Sequence, residues 1–122
     1  PVAVMFIRPE RYTHEFIESQ DCVNLVFLGQ SEKARQAYAF CGAKSGRDHD
    51  KARECGLTPC STENGSVSFE EARLTLECRK IYKTRIRPEE MTDKTIEQWY
   101  GGAKGGLHDV YVMEITSVSV AE

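Results

Sequence analysis

The sequence predicts a mainly β, α+β fold: an antiparallel or barrel-like sheet with short helices between its strands. Apolar or alternating runs at residues 2–8, 22–27 and 108–120 have the composition of strands, and the last alternates along its whole length. Helix-capping residues and glycine stops separate these runs. A chain of 122 residues is long enough for one domain with a real core, so residues 1–122 are interpreted as a single domain.

The first half of the chain alternates strands with short helices. Residues 2–8 are β-branched and apolar on both faces, which indicates a buried strand that ends at Pro9, and CVNLVF (22–27) predicts a second strand. Three helices are expected: one over residues 13–19 capped by Thr13, one begun by Ser31 and ended by Gly42, and one begun by Asp48 and ended by Gly56.

The second half is predicted to be richer in strands. Residues 67–72 are interpreted as the hairpin partner of a strand over 72–82, which follows them directly. In that strand Leu74, Leu76 and Cys78 alternate with polar residues, so one of its faces is expected to be wet. Residues 87–102 predict a loop with one short helix, and GGAKGG (101–106) predicts a flexible connector to the last strand.

Composition excludes several classes of protein. The net charge of −3 is too small to make nucleic acid or an acidic membrane the expected partner. The apolar runs are too short to cross a bilayer. The five cysteines lack CxxC spacing, so neither a metal site nor a disulfide framework is expected, and reduced thiols in a cytoplasmic protein fit better.

Three polar clusters are candidate sites, and each also has a structural interpretation. Arg8, Arg11 and Thr13 surround a predicted helix start, where free N–H groups and arginines suit a phosphate. Ser45, Gly46 and Lys51 stand at another helix start and could hold a second anionic or polar edge of a ligand, although the P-loop spacing is absent. In both places a solvated, capped helix explains the residues as well.

The third cluster is His108, which follows Gly105, Gly106 and Leu107 at the mouth of the last strand. This histidine could donate to a ligand or act as an acid near neutral pH, and it could equally be a hydrogen-bonded loop residue. No nucleophile–base pair, GxSxG motif or pair of carboxylates is evident. No catalytic side chain is therefore assigned.

The order of four segments resembles that of a known family: FIRPERYTHEFIE, CGAKSGRDHDK followed by GLTP, FEEARLTLECRKIY and HDVYVMEI. Together they resemble the flavin reductase-like family of FMN-binding split-barrel proteins, which includes the flavoredoxin-like proteins. The resemblance runs from Phe6 to about Val120. It implies a split β-barrel with short helices that usually dimerises and holds FMN noncovalently at or near the subunit interface.

The resemblance also assigns candidate contacts to the cofactor. Thr13, Lys51 and His108 match family positions expected to contact FMN, and Arg8, Arg11, Ser45 and Gly46 lie in the same motifs. Part of the charged run 47–51 is then expected to contact the flavin, and Asp48 and His49 are expected on the solvent-exposed side of this run.

The front of the chain departs from the family pattern. The chain opens with PVAVMFIRPE, without an initiator methionine and already within a strand. Relatives carry earlier strands, with an Asn-Thr pair and a Ser-Trp pair, that contribute to the flavin site. We expect this chain to be the later part of a longer product or one with a trimmed N-terminus. The segment Glu89–Gly106 is also unusual, and it is expected to cover the site or a dimer neighbour.

The function that the resemblance implies is an FMN oxidoreductase that uses NADH or NADPH, in which the cofactor performs the hydride chemistry. A flavin-bound electron carrier that acts with a partner protein is the first alternative, and a non-catalytic FMN-binding protein is the second. No Rossmann fingerprint exists from which to choose between the two nicotinamides. A homodimer is expected, because a split barrel of this size leaves a sheet face that needs cover.

Overall fold

A four-stranded antiparallel sheet, in the order β1-β6-β5-β2, forms the body of the protein, and β3 and β4 pair as a separate hairpin. The computed structural model describes all residues, Pro1–Glu122. The elements are β1 (Val2–Ile7), α1 (Tyr12–Ser19), β2 (Cys22–Phe27), α2 (Glu32–Ala43), α3 (Lys51–Glu54), β3 (Pro59–Ser61), β4 (Val67–Phe69), β5 (Leu74–Arg85) and β6 (Asp109–Val120). This architecture confirms the predicted antiparallel β core with short helices between strands.

Two irregularities bend the central strand pair. The pairing of β5 with β6 shifts register between Glu77 and Cys78 and again between Lys80 and Tyr82. Bulges of this kind bend a strand and increase its local twist. The two longest strands, each of 12 residues, therefore curl instead of lying flat.

Helix α1 covers one face of the sheet and makes the core. Ile17 packs against Cys78, Tyr111 and Met113, the last three of which are fully buried. Partly buried apolar residues surround this cluster: Ala3, Met5, Ile7, Val23, Leu25, Leu76 and Ile115. In β1 only alternate residues face this core, so the expectation that both faces of that strand are buried is wrong: Val2 is 59% exposed.

The hairpin of β3 and β4 covers part of the opposite face, and its contacts with the sheet are polar. Ser68 and Thr75 share a hydrogen bond of 2.7 Å between their hydroxyl oxygens. The Glu77 carboxylate accepts a hydrogen bond of 3.1 Å from the Asn64 N–H. Thr75 and Glu77 are both buried. The wet face expected for this part of β5 is therefore wrong, because a polar hairpin covers it.

The hairpin itself corrects a second prediction. Residues 67–69 pair with β3, not with the following strand, and β5 lies between β2 and β6. The turn that joins β3 to β4 contains Asn64-Gly65, with Gly65 at φ +83°. A glycine is favoured at such a left-handed position, which makes this dipeptide a hairpin signal.

The helix starts agree with the sequence in one case of three. Ser31 caps α2 by accepting from the Ala34 N–H, as predicted, but the helix continues through Gly42 to Ala43. Thr13 does not cap α1, which begins one residue earlier after Arg11 and has no side-chain cap. Asp48 does not cap α3; Asp50 does, by accepting from the Arg53 N–H.

The segment between β5 and β6 forms three short 3₁₀ helices: Pro88–Glu90, Lys94–Trp99 and Gly102–Lys104. Only one short helix was predicted here, and the expected connector 101–106 contains the third of them. No helix in the structure has both the length and the apolarity needed to span a bilayer.

Candidate functional site: a polar cleft between α1 and the 41–51 segment

A polar cleft of about 450 Å³ lies between the start of α1 and the segment that joins α2 to α3. Five of the seven predicted site residues line it: Arg11, Thr13, Ser45, Gly46 and Lys51. The fold therefore brings together two segments that are more than thirty residues apart in the sequence.

The cleft is lined by backbone donors that nothing in the chain satisfies. No side chain caps α1, and neither the Tyr12 nor the Thr13 N–H finds an acceptor. Beyond the end of α2, the N–H groups of Ser45 and Gly46 also lack an acceptor. Free N–H groups at a helix start and in a turn are the usual backbone ligands of a phosphate or carboxylate.

The side chains of the cleft add positive charge. Arg11 and Lys44 make no ion pair within the chain, and the Lys51 ammonium donates only to the Cys41 carbonyl, at 2.8 Å. Arg47 is held differently: its guanidinium binds the exposed Glu15 carboxylate at 2.7 Å and the Glu10 carbonyl. Sequence reasoning did not assign Lys44 or Arg47, although both lie within the stretch 41–51.

Tyr12 fixes the width of the cleft. Its ring lies against the backbone of Gly46, where an added Cβ would come within 2.9 Å of Cδ2. The Arg47 guanidinium lies over the same ring, 4.9 Å from its centre, and Phe16 packs edge-on at 4.8 Å. Only glycine permits this close approach of the 45–46 turn to α1.

An apolar hollow of about 380 Å³ adjoins the cleft, and Thr13 lines both. Its apolar lining includes Met5, Phe16, Val23 and Val67. A polar, cationic cleft beside an apolar hollow matches a ligand that carries an anionic group and a flat apolar body.

The other two predicted residues, Arg8 and His108, lie outside the lining of the cleft. Arg8 donates to the carbonyls of Gly106 (3.0 Å) and Trp99 (3.1 Å), with its guanidinium 4.8 Å from the centre of the Tyr100 ring. The His108 Nδ1 lies 2.8 Å from the Tyr100 hydroxyl oxygen. These contacts connect the residues that flank β1 and β6 to the segment that contains the 3₁₀ helices.

The surroundings of His108 keep its ring neutral. Burial, and then the nearby Arg8 charge, lower the pKa of His108 below its ordinary 6.5. At neutral pH the ring is then uncharged and serves as a hydrogen-bonding group. Glu10 connects the cleft to the region around Arg8 and His108. It lines the cleft, and its carboxylate accepts a hydrogen bond from the Gly106 N–H. This hydrogen bond is the main cause of the lowered pKa of Glu10.

A charged network around the buried Asp109 carboxylate joins α1 to β5 and β6. The Asp109 carboxylate, 1% exposed, accepts from Arg85 Nε at 2.6 Å and lies 2.7 Å from His14 Nε2. The Arg85 guanidinium, followed by His14, lowers the pKa of Asp109 from its ordinary 3.8 to about 2. His14 follows Thr13 and Asp109 follows His108, so this network connects α1 to the mouth of β6.

The same network offers ligand atoms that a metal could use, from His14, Glu18 and Asp109, all within 4.8 Å of one another. However, Lys83 pairs with Glu18 and Arg85 pairs with Asp109. These cations already neutralise the carboxylates, which argues against a metal at this position.

Comparison with known proteins identifies the family. The model of the flavin reductase like domain matches residues 1–122, the whole chain. The chain belongs to this family. No curated protein matches the chain in sequence.

Solved structures extend the comparison to the fold of the flavin reductase-like family. Flavoredoxin of Desulfovibrio vulgaris (Miyazaki F) superposes with a TM-score of 0.72 at 20% identity, over 100% of this chain and 54% of that one. Nitrilotriacetate monooxygenase component B from Bacillus cereus superposes with a TM-score of 0.72 at 16% identity, over 100% of this chain and 55% of that one. An FMN-binding protein from Thermus thermophilus superposes with a TM-score of 0.69 at 18% identity, over 98% of this chain and 54% of that one.

These likenesses confirm the predicted split-barrel fold, and the curled sheet described above corresponds to half of such a barrel. The chain spans about half the length of the solved structures it matches.

Proposed function

We propose that this flavin reductase-like chain binds FMN and takes part in its reduction by NADH or NADPH. The observation that carries the proposal is the cleft, in which four unpaired backbone N–H groups and three cations without a carboxylate partner surround one space. A phosphate monoester is the group that such a set of donors recognises.

The residues present fit this cofactor. Arg11 and Lys51, with the N–H groups of Thr13 and Gly46, would hold the phosphate, and the apolar hollow beside Thr13 suits the ring. When bound, FMN supplies the capacity to accept and give up a hydride. The tasks left to the chain are to bind, to orient and to exclude water, which agrees with the absence of an acid–base pair in the cleft.

The match of FMN to the cleft also bears on the choice between flavins. The cleft is a single, open concentration of positive charge, which suits one terminal phosphate. FMN presents such a group, whereas FAD carries a bridging diphosphate and an additional nucleoside that would need a second polar site. FMN over FAD is therefore part of the proposal.

A homodimer is also part of the proposal. On the sheet face opposite α1, the side chains of Val2, Val4 and Phe6 are each more than half exposed. Val112 pairs with Val4 on one side and with Tyr82, 60% exposed, on the other. β1 is an edge strand, so this apolar face and its free edge together favour a second copy as cover.

The proposal places the protein in the cytoplasm. All five cysteines are unpaired, and free thiols persist in a reducing compartment.

The experiment that tests cofactor binding is a fluorescence titration of the protein with FMN and, separately, with riboflavin, which lacks the phosphate. A charge-assisted hydrogen bond contributes roughly 1.5–3 kcal/mol, so Lys51→Ala should weaken FMN binding about ten- to a hundred-fold and leave riboflavin binding unchanged. Lys94→Ala is the matched control, because Lys94 also donates to a backbone carbonyl, that of Pro88, far from the cleft in sequence. Equal dissociation constants for FMN in all three proteins would refute the phosphate site.

The redox part of the proposal needs a second assay. The FMN-loaded protein is mixed anaerobically with NADH or NADPH, and the flavin absorbance is followed. Rapid bleaching by either nicotinamide supports the reductase. Bleaching that requires an added reductase protein indicates an electron carrier, and binding without any bleaching indicates a non-catalytic flavin protein.

A further inference from the structure

The first turn of α1 has no side-chain cap. Arg11, the residue before the helix, offers no side-chain acceptor, and the N–H groups of Tyr12 and Thr13 find none elsewhere in the chain. Open donors suit an anion, but an uncapped turn is weakly held, because a cap contributes about 1 kcal/mol to a helix. Another contact must therefore hold this turn if its N–H groups are to keep one direction.

His14 makes such a contact. It directly follows Thr13, which lines the cleft, and its Nε2 lies 2.7 Å from Oδ2 of Asp109 in β6. Because an ionised carboxylate only accepts hydrogen bonds, the proton lies on Nε2 and the imidazole donates. The side chain of Asp109 is 1% exposed and that of His14 is 16% exposed, so water competes little for this hydrogen bond.

The acceptor of this hydrogen bond is fixed by the sheet. Arg85, in β5, donates from Nε to Asp109 Oδ1 at 2.6 Å and from a terminal nitrogen to Oδ2 at 3.2 Å. The backbones of Arg85 and Asp109 are also partners in the pairing of β5 with β6. A helix turn that is bonded to this carboxylate therefore takes its position from the central strand pair.

The second turn of α1 has attachments of its own. Ile17 packs in the core, and the Tyr111 hydroxyl, in β6, donates to the Glu18 carboxylate at 2.6 Å. Neither Tyr111 nor Glu18 lines the cleft or the apolar hollow. His14 and Glu18 thus give α1 two polar attachments to the same strand, and the one at His14 is next to the cleft.

We propose that His14 is a positioning residue of the anion-binding cleft: its hydrogen bond to Asp109 orients the first turn of α1 so that the Tyr12 and Thr13 N–H groups point at the phosphate. The inference rests on the proposed function, which supplies the phosphate. The physical reason is directionality, because an N–H···O hydrogen bond weakens steeply once its angle falls below about 120°. His14 itself lies outside the lining of the cleft and acts through its neighbours.

Fluorescence titrations with FMN and with riboflavin separate the orientation of the phosphate donors from a general loss of structure. His14→Leu removes the hydrogen bond, whereas the side-chain amide of His14→Gln can donate from near the position of Nε2. We expect His14→Leu to weaken FMN binding about three- to tenfold, the range for one net hydrogen bond, and to leave riboflavin binding nearly unchanged. His14→Gln should restore most of the affinity for FMN.

Tyr111→Phe is the matched control, because it also removes one hydrogen bond between α1 and β6, but in the second turn. Both His14→Leu and Tyr111→Phe should melt at a lower temperature than the wild type, yet only His14→Leu should change the ratio of FMN to riboflavin affinity. An unchanged ratio in His14→Leu, or an equal change in Tyr111→Phe, would overturn the inference. A wild type that binds FMN no better than riboflavin would refute the phosphate site itself, and the inference with it.

Hydrogen exchange in the flavin-free protein gives a second readout. The amides of residues 15–17 donate to the carbonyls of residues 11–13 within an α-helix, so they report on opening of the first turn. They should exchange faster in His14→Leu than in the wild type, and His14→Gln should return them towards the slower exchange. Unchanged exchange in His14→Leu would overturn the inference even if FMN binding were weakened.

Discussion

The ion pairs of the buried Asp109 carboxylate should make a measurable part of the protein's stability depend on pH. A carboxyl pKa depressed from 3.8 to about 2 corresponds to roughly 2 kcal/mol of stability. Because the pKa is lower in the folded state, this contribution is fully present above about pH 4 and is lost as the pH falls towards 2. Asp109→Asn removes the charge and keeps the size, so it should lower the free energy of unfolding at pH 7 by about 2–4 kcal/mol.

Urea unfolding of the wild type and Asp109→Asn at several pH values between 2 and 7 measures this contribution. The difference between the two proteins should be constant above pH 5 and should shrink by about 2 kcal/mol between pH 4 and pH 2. Glu114→Gln is the control: Glu114 pairs with Arg79 at 3.2 Å, but both side chains are about half exposed, so less than about 1 kcal/mol should be lost. A difference for Asp109→Asn that does not change with pH would show that the network does not act through the charge of this carboxylate.

Three further outcomes test the site and the assembly. Gly46→Ala should weaken FMN binding by about fivefold or more, because the new methyl group meets Tyr12. Mass analysis of the flavin released from purified protein should find FMN, and mainly FAD would contradict the single-phosphate interpretation. Light scattering at micromolar concentration should give a dimer that Val4→Lys converts to a monomer, and a monomeric wild type would refute the apolar interface.

The strand positions could be predicted because hydrophobic periodicity is a local signal. β2 is observed where the sequence placed it, and β1 and β6 differ by one residue. The pairing of residues 67–69 could not be obtained in the same way, because their partner strand has three residues, including Pro59, and carries no periodic pattern. The available signal was Asn64-Gly65, a dipeptide that is typical of a tight hairpin turn.

The site was predictable in its parts, and its assembly depends on tertiary structure. Spacing alone cannot bring Thr13 next to Gly46, and it was the family resemblance that placed them in one site. The same resemblance added Arg8 and His108, which the structure engages with the 3₁₀ segment outside the cleft lining. Lys44 was overlooked because it precedes the charged run, yet it lines the cleft without a carboxylate partner.

The polar contact between the β3–β4 hairpin and the sheet has a consequence for how accurately the hairpin must be placed. An apolar interface tolerates small displacements, because contacts between methyl groups have no preferred direction. Here the Asn24 side-chain amide donates a hydrogen bond to the Thr62 hydroxyl, and the Asn64 side-chain amide donates to the Asn24 side-chain oxygen. The Glu77 carboxylate accepts from the Asn64 backbone N–H. A slip of a single residue would leave the buried Glu77 carboxylate and two half-buried amides without partners, at a cost of several kcal/mol. These hydrogen bonds therefore fix the hairpin in one position. Its residues line part of the apolar hollow, so that part of the hollow has a defined shape before any ligand binds.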